Sequence, residues 1–356
     1  MSLEKTTCKM KVVEQPKPKK KKIKKKIKKK TKKQDVSNSN MLELPTTQDF
    51  TLLDSKYNKS KDFNSLYDRP FSTLYLMVRS LKKENLDELL TEYNIPFNKK
   101  DKLDVKKQKV FENVYESNII KYLLDNKTYM DDNKILELKN ELKKVCEEKC
   151  SVHNDNFNGN LNRIIRNPDT YTLKMLESQI DNLKKQLESY AKWQWYNQKC
   201  SDLNENIIKS KKNIIPTLRP ISKIDFFCKI EDIVFPFDLK TTIFPKNYKK
   251  NISKETILQF IKNEKEHLEL LKWLYQEQNP RLFCNNYRYF IILININDVK
   301  NSRYLKCETN LINKEISKYF SQIKKTNIID IEYEYKKDKS LSGSYKTKCL
   351  YSLVYQ

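Results

Sequence analysis

The segment that most constrains the fold is 223–242, whose sequence is KIDFFCKIEDIVFPFDLKTT. Two runs rich in Ile, Val and Phe flank the polar pair Glu231-Asp232, and this pattern predicts two β-strands joined by a turn. If the strands pair as an antiparallel hairpin centred on that pair, Asp225 lies opposite Asp238. Because Glu-Asp lacks the glycine of the tightest hairpin turns, a four-residue loop fits the pattern as well as a two-residue one, with the same pairing.

The hairpin collects polar side chains on one of its faces. Residues two apart in a strand share a face, so Asp238 lies beside Lys240, and the cross-strand pairing adds Asp225. Two carboxylates this close repel each other unless a cation compensates them, and oxygen ligands of this kind suit Mg²⁺. Carboxylates, a divalent ion and an ammonium group are the components of metal-dependent phosphodiester hydrolysis. An Asp-x-Lys pair also arises by chance in a chain that is 33% charged, so the strand context favours the functional interpretation.

With its flanking segments, the hairpin resembles the PD-(D/E)xK nuclease superfamily, and restriction-endonuclease-like proteins in particular. The matching motifs are IDFF at 224–227 and PFDLKTT at 236–242, with a preceding helix that carries Ser201-x-x-x-Glu205 and a following strand that begins near Arg288. The resemblance covers residues 170–356. It departs from the motif at one place, since no proline directly precedes Asp225.

The resemblance implies a set of site residues. It assigns Asp225, Asp238 and the backbone carbonyl of Leu239 as ligands of Mg²⁺, with Mn²⁺ as the alternative ion, and Lys240 as the catalytic lysine. Glu205 is a further candidate ligand, and a solvated helix carboxylate is its alternative interpretation. Basic residues beside the carboxylates are candidate phosphate contacts as a group: Arg219, Lys223, Lys246, Lys249, Lys250, Arg281 and Arg288.

The activity implied by the resemblance is a metal-dependent DNA endonuclease, most like a type II restriction enzyme. Double-strand cleavage at a palindrome favours a two-fold homodimer. Two alternatives stay open. A repair or recombination nuclease of the same fold keeps the chemistry but changes the DNA substrate. A non-catalytic nucleic-acid-binding protein with an inactive nuclease-like core predicts DNA binding without cleavage.

The net charge independently predicts a polyanionic partner. The chain carries 71 Lys and Arg against 46 Asp and Glu, a net charge of +25, which is typical of nucleic-acid-binding proteins. Residues 1–33 hold 16 lysines and two glutamates, so +14 of that charge lies in the tail and +11 in the rest. A tail so rich in lysine cannot bury apolar area, and we expect residues 1–45 to be disordered. Non-specific DNA affinity, a nuclear localisation signal and a solubilising extension are its open interpretations.

The composition argues against several other classes. Gly159 and Gly343 are the only glycines, which excludes glycine-rich phosphate loops. His153 and His267 are the only histidines, which nearly excludes serine–histidine chemistry. The spacing Cys146-x3-Cys150-x2-His153 suggests a zinc site, but no convincing fourth ligand accompanies it.

The sequence also predicts the compartment of the protein. No apolar run approaches the length of a membrane span, and the N-terminus lacks a signal-peptide core. Eight scattered cysteines fit a reduced compartment. We therefore expect an intracellular protein without a membrane partner, in the cytoplasm of a bacterium or, in a eukaryotic or viral setting, in the nucleus or virus factory.

The order of predicted elements indicates an α/β (α+β) fold, with a mixed central sheet flanked by helices and, by resemblance, a restriction-endonuclease-like core. Apolar residues at helical spacing predict a helical region over 46–165, with helices at 70–80, 86–90, 104–124 and 132–150. The region 166–356 adds helices and strands around the hairpin: helices 171–210, 253–278 and 309–323, and strands 288–296, 329–336 and 345–355.

The first helix of this second region has two distinct parts. Its beginning carries a stripe of apolar residues, and its later part carries an aromatic cluster that we expect in the core. The stripe consists of Leu173, Leu176, Ile180, Leu183, Leu187 and Tyr190. The aromatic cluster consists of Trp193, Trp195 and Tyr196.

Overall fold

The described residues contain six strands that form one mixed sheet, flanked by helices. The computed structural model describes residues 44–60, 62–147, 172–221, 224–245, 247–248, 253–277 and 285–356. The strands are β1 Ile214–Ile221, β2 Ile224–Ile230, β3 Ile233–Ile243, β4 Arg288–Ile294, β5 Ile329–Tyr335 and β6 Gly343–Tyr355. Their order across the sheet is β1-β2-β3-β4-β6-β5. The predicted mixed sheet with flanking helices is therefore confirmed.

The hairpin of β2 and β3 has the predicted register. Phe226 pairs with Phe237 and Ile230 with Ile233, in an antiparallel ladder. The loop is the two-residue alternative, and Glu231 at its first position adopts a left-handed φ of 56°. A positive φ at that position alone is the sign pattern of a type II′ turn, which usually has glycine there. The chain has no glycine in this segment, so Glu231 takes the strained conformation itself.

The two halves of strand β3 pair with different strands. Its first half pairs with β2, up to Phe237. From Asp238 onward it pairs in parallel with β4, in the register Asp238 to Arg288. Among the described residues, no strand pairs with the second half of β3 at the edge that β2 occupies beside the first half, and we call this the open edge. Asp238 lies at the point where the two strands diverge.

The helices surround this sheet. They are α1 Thr47–Lys59, α2 Asn64–Tyr67, α3 Ser72–Arg79, α4 Lys83–Glu92, α5 Leu103–Asn113, α6 Glu116–Asp125, α7 Asp132–Glu147, α8 Leu173–Lys209, α9 Lys254–Ile261, α10 Glu264–Glu277 and α11 Thr309–Ser321. A 3₁₀ segment at Val299–Cys307 joins β4 to α11.

Two predicted helices were wrong in detail, and one strand was not predicted. The helix expected over 104–124 is interrupted after α5, where Val114 is extended at φ −120° and ψ 123°. The helix expected over 253–278 is also two helices, because the side chain of Asn263 accepts a hydrogen bond from the backbone N–H of Lys265 and begins a new helix. Strand β1 was missed altogether, since Pro216 and Pro220 argue against a strand except at a sheet edge, where β1 lies.

The helices of the N-terminal part pack on the sheet and share its core. The Tyr67 hydroxyl donates to the carbonyl of Val234 at 2.6 Å, and the backbone N–H of Arg219 donates to the carbonyl of Ser80 at 2.9 Å. Residues 44–356 form one compact unit. The predicted tail lies almost entirely outside the described residues. Among the residues that the structure describes, no helix has the length and apolar character to cross a membrane.

Candidate functional site

The candidate site lies where β3 leaves β2. At this point the carboxylate of Asp225 takes the place of the missing ladder partner: its Oδ2 accepts a hydrogen bond from the backbone N–H of Leu239 at 2.7 Å. This bond ties the end of β2 to the open edge of β3 and brings Asp225 next to Asp238. The predicted association of the two aspartates thus follows from the hairpin register and this contact.

Asp238 is the best-connected side chain of the site. It is only 4% exposed. Its Oδ1 accepts a hydrogen bond from Lys240 Nζ at 2.7 Å, as expected for residues two apart on one face of a strand. Its Oδ2 accepts a hydrogen bond from Asn286 Nδ2 at 3.2 Å. Both carboxylate oxygens therefore have partners, and one of them is the ammonium group of Lys240.

Arg288 lies on the other side of Asp238 and is buried. Its Nε is 3.5 Å from Asp238 Oδ2, and its guanidinium carbon lies 4.6 Å from the centre of the Tyr275 ring. Arg288 Nη2 also donates to Asn286 Oδ1 at 3.4 Å, so Asn286 bridges the two charged groups. Sequence analysis missed this support of Asp238, because the parallel register of β3 and β4 that creates it leaves no signal in either strand.

The burial of Arg288 corrects its expected role. A DNA contact requires an exposed guanidinium, and Arg288 is 2% exposed. Its interaction with Asp238 makes it part of the site's interior. Arg219 is half-buried on β1, close enough to helix α5 for its charge to lower the pKa of Asp104. The other expected phosphate contacts lie outside the described residues: Lys223, Lys246, Lys249, Lys250 and Arg281.

Glu205 reaches the site from helix α8. Its Oε2 accepts a hydrogen bond from Lys209 Nζ at 3.4 Å, one helical turn away. Burial raises the pKa of Glu205, while the charges of Lys209 and Lys240 oppose this shift. Its charge in turn acts on Asp225. Glu205 is therefore a half-buried carboxylate close enough to Asp225 and Lys240 for their charges to interact, which argues against the solvated alternative.

The three carboxylates make this a site of unfavourable negative charge. Burial raises the pKa of Asp225 to about 7, and repulsion by Asp238 and Glu205 adds to the shift. The hydrogen bond from the Leu239 N–H and the charge of Lys240 act in the opposite direction. A cation that joined this cluster would relieve the repulsion.

The oxygens at the open edge suit a hard divalent cation. Because the N–H and C=O groups of one residue in a strand point to the same edge, the Leu239 carbonyl points to the same edge of β3 as the N–H that donates to Asp225. The donor set is therefore made of carboxylate and carbonyl oxygens, the chemistry that Mg²⁺ prefers. Within the described part of the chain, no three His, Cys, Asp or Glu side chains are arranged to hold a metal ion. A resident ion would thus rely on two carboxylates and this carbonyl, with Glu205 behind them.

The second candidate metal site falls partly outside the described residues. Cys146 lies in helix α7 and is half-buried, which raises the pKa of its thiol. Cys150 and His153 are not described. The surroundings of Cys146 are the aromatic cluster of helix α8, with Tyr196 fully buried and its hydroxyl donating to the Arg303 carbonyl at 2.6 Å. Tyr196 is therefore core, as expected, while Trp193 and Trp195 are partly buried and pack against it.

Comparison with known proteins does not add to this description. No protein-family model, no curated protein and no solved structure matches the chain.

Proposed function

We propose that this protein is a Mg²⁺-dependent DNA endonuclease with a restriction-endonuclease-like core. The observation that carries the proposal is the association of Asp225, Asp238 and Lys240 at the divergence of two strands. The order of helix, hairpin, helix and parallel strand around that point supports the likeness to PD-(D/E)xK nucleases. The net charge of +25, of which +11 lies outside residues 1–33, supports DNA as the substrate.

The proposed ion would be held by Asp225, Asp238 and the Leu239 carbonyl, with Mn²⁺ as an alternative to Mg²⁺. When bound, such an ion supplies Lewis-acid stabilisation of the negative charge that develops on the phosphate. Burial raises the pKa of Asp225 to about 7, and repulsion by Asp238 and Glu205 adds to the shift; this repulsion supports a site suited to a cation. Lys240 donates to one oxygen of Asp238, so its ammonium group and the ion would share this carboxylate.

The other side chains of the site have distinct proposed roles. Lys240 is 34% exposed at its side chain, so its ammonium can reach a phosphate oxygen or orient the attacking water. Asn286 and Arg288 hold Oδ2 of Asp238 from the interior and fix the carboxylate in place. Hydrolysis forms a bond from the water oxygen to phosphorus and breaks the bond to the leaving oxygen, which takes up a proton.

A second candidate function is non-catalytic nucleic-acid binding. The observation that favours it is the closed network around Asp238, where both oxygens already have partners. Buried ion-pair networks of this kind also occur as purely structural features. The two candidates differ in one outcome, since only the nuclease cleaves DNA in Mg²⁺ or Mn²⁺. A repair or recombination nuclease would cleave branched or damaged DNA in preference to intact duplex.

Plasmid cleavage with matched variants tests the proposal. The full chain is incubated with supercoiled DNA and Mg²⁺, alongside Asp238→Asn, Lys240→Ala and the control Lys229→Ala, which alters an exposed lysine on the adjacent strand. Cleavage by wild type and the control, with loss in both site variants while DNA binding persists, is the expected result. Undiminished cleavage by Lys240→Ala would refute the assigned site, and binding without cleavage by wild type would favour the second candidate. Sequencing of the cut ends gives the DNA specificity.

A further inference from the structure

The N-terminal half of helix α8 carries an apolar stripe, and none of the stripe side chains that the structure describes is buried. Helix α8 begins at Leu173, where the Thr172 hydroxyl accepts a hydrogen bond from the Met175 N–H at 3.3 Å. Ile180 is 40% exposed and Leu187 is 49% exposed. Leu183 is partly exposed, and among the described side chains of the helix the first fully buried one is Tyr196. Ile180, Leu183 and Leu187 therefore lie apart from the hydrophobic core.

The spacing of the stripe is that of a coiled coil. Its residues alternate at intervals of three and four over 173–190: Leu173, Leu176, Ile180, Leu183, Leu187 and Tyr190. A helix that packs on a globular core usually adds a third apolar position per heptad, whereas a narrow two-in-seven seam suits a two-stranded coiled coil. A helix segment of about 27 Å with such a seam is matched by a second helix with the same seam. A second copy of this chain offers one.

The charges beside the seam select an antiparallel arrangement. If two copies run antiparallel so that Leu173 meets Tyr190 of the other copy, all six stripe residues pair in one register, and Ile180 meets Leu183. In that register the flanking positions on one side place Glu177 of each copy against Lys184 of the other. A parallel pair would instead set these charges against Thr172 and Gln179, which are neutral. Lys184 forms only an exposed pair with Asp181 within its own helix, at 3.3 Å, which contributes little.

We propose that the protein forms a homodimer through an antiparallel coiled coil of residues 173–190. The partner is a second copy, recognised by six apolar layers and two Glu177–Lys184 pairs. This surface is separate from the carboxylate site, and the inference does not depend on the nuclease proposal. Loss of association and loss of DNA cleavage are measured by different assays, so one can fail while the other holds.

The mass of the full chain in solution tests the dimer. Light scattering at micromolar concentration should give twice the chain mass of 42.8 kDa. Ile180→Asp with Leu187→Asp should reduce it to the mass of one chain. The control Ser178→Asp with Asn182→Asp adds the same charge on exposed positions away from the seam and should leave the dimer intact. A single-chain mass for wild type, or an unchanged dimer in the seam variant, overturns the inference and assigns the stripe to another occupant.

A charge-reversal experiment tests the orientation without placing charge in the seam. Glu177→Lys alone and Lys184→Glu alone should each weaken self-association about tenfold, because two attractive pairs become repulsive. An equimolar mixture of the two variants should recover the wild-type affinity, since both pairs of the mixed dimer become complementary. Circular dichroism confirms that each variant is folded. Failure of the mixture to recover association overturns the antiparallel register.

Discussion

Replacing Asp225 by Asn should stabilise the metal-free protein at pH 8. The pKa of Asp225 is raised from 3.8 to about 7 in the folded protein. Between these values the unfolded chain has released the proton while the folded protein keeps it, so the free energy of unfolding falls as pH rises. Above pH 7 the loss is complete. Three pKa units at 1.36 kcal/mol each correspond to about 4 kcal/mol.

The substitution removes this penalty and preserves the local geometry. Asn is neutral at every pH, and its side-chain oxygen can accept the hydrogen bond that the Leu239 N–H now donates to Asp225 Oδ2. The stabilisation should therefore be near zero at pH 4 and reach its full size at pH 8. At about 2 °C per kcal/mol for a protein of this size, the melting temperature should rise by roughly 8 °C.

Thermal unfolding in EDTA at a series of pH values measures the effect. Asp232→Asn in the exposed hairpin turn is the matched control and should change the melting temperature little at any pH. Added Mg²⁺ should raise the melting temperature of wild type and not that of Asp225→Asn. If Asp225→Asn has the same or a lower melting temperature than wild type at pH 8, the carboxylate cluster is not strained as argued.

Four further outcomes follow from the same contacts and charges. Lys240→Ala should bind Mg²⁺ more tightly than wild type in calorimetric titration while losing cleavage, because it removes the ammonium that occupies Asp238 Oδ1. Cleavage at subsaturating Mg²⁺ should fall about tenfold per pH unit well below 7, because the ion requires Asp225 without its proton; a flat profile from pH 5.5 to 8 would contradict this. Arg288→Met should lower the free energy of unfolding in urea by about 3 kcal/mol by breaking a buried ion pair, whereas Met at exposed Arg69 should not. Deleting residues 1–33 should reduce the slope of log affinity for DNA against log salt, measured by fluorescence anisotropy, because fewer counterions are released.

The part of the site that lies within one hairpin was predictable from the sequence. The alternation of strand residues and the polar pair at 231–232 set the register, and the register places Asp225 opposite Asp238. The order of later strands and helices was predictable for the same reason, since each element has its own apolar period. The sequence did not distinguish the two-residue turn from the four-residue loop. The two-residue turn needs a positive φ at its first position, which glycine would have predicted and which Glu231 adopts instead.

The surroundings of Asp238 were beyond the reach of sequence patterns. Asn286 and Arg288 contact it only because β4 pairs in parallel with β3 in one particular register, and β4 is buried along its whole length and carries no alternation that fixes this register. From the sequence, Arg288 was therefore predicted to be a surface cation. Likewise, the apolar stripe of helix α8 predicted a helix but not its exposure, because the spacing of a core-facing stripe and of an intermolecular seam differ only slightly.

Helix α8 sets the distance between the proposed dimer seam and the carboxylate site, because it carries both the seam residues and Glu205. The centre of the antiparallel seam falls between residues 181 and 182, so Glu205 lies about 35 Å from it along a straight helix, at 1.5 Å per residue. Two carboxylate sites in the proposed dimer would then be separated by about 70 Å, which equals roughly 20 base pairs of B-form DNA at 3.4 Å per pair. Such a dimer would contact DNA at two positions about two helical turns apart. Its two cuts on a linear duplex should therefore be separated by that distance and not lie within one short palindrome.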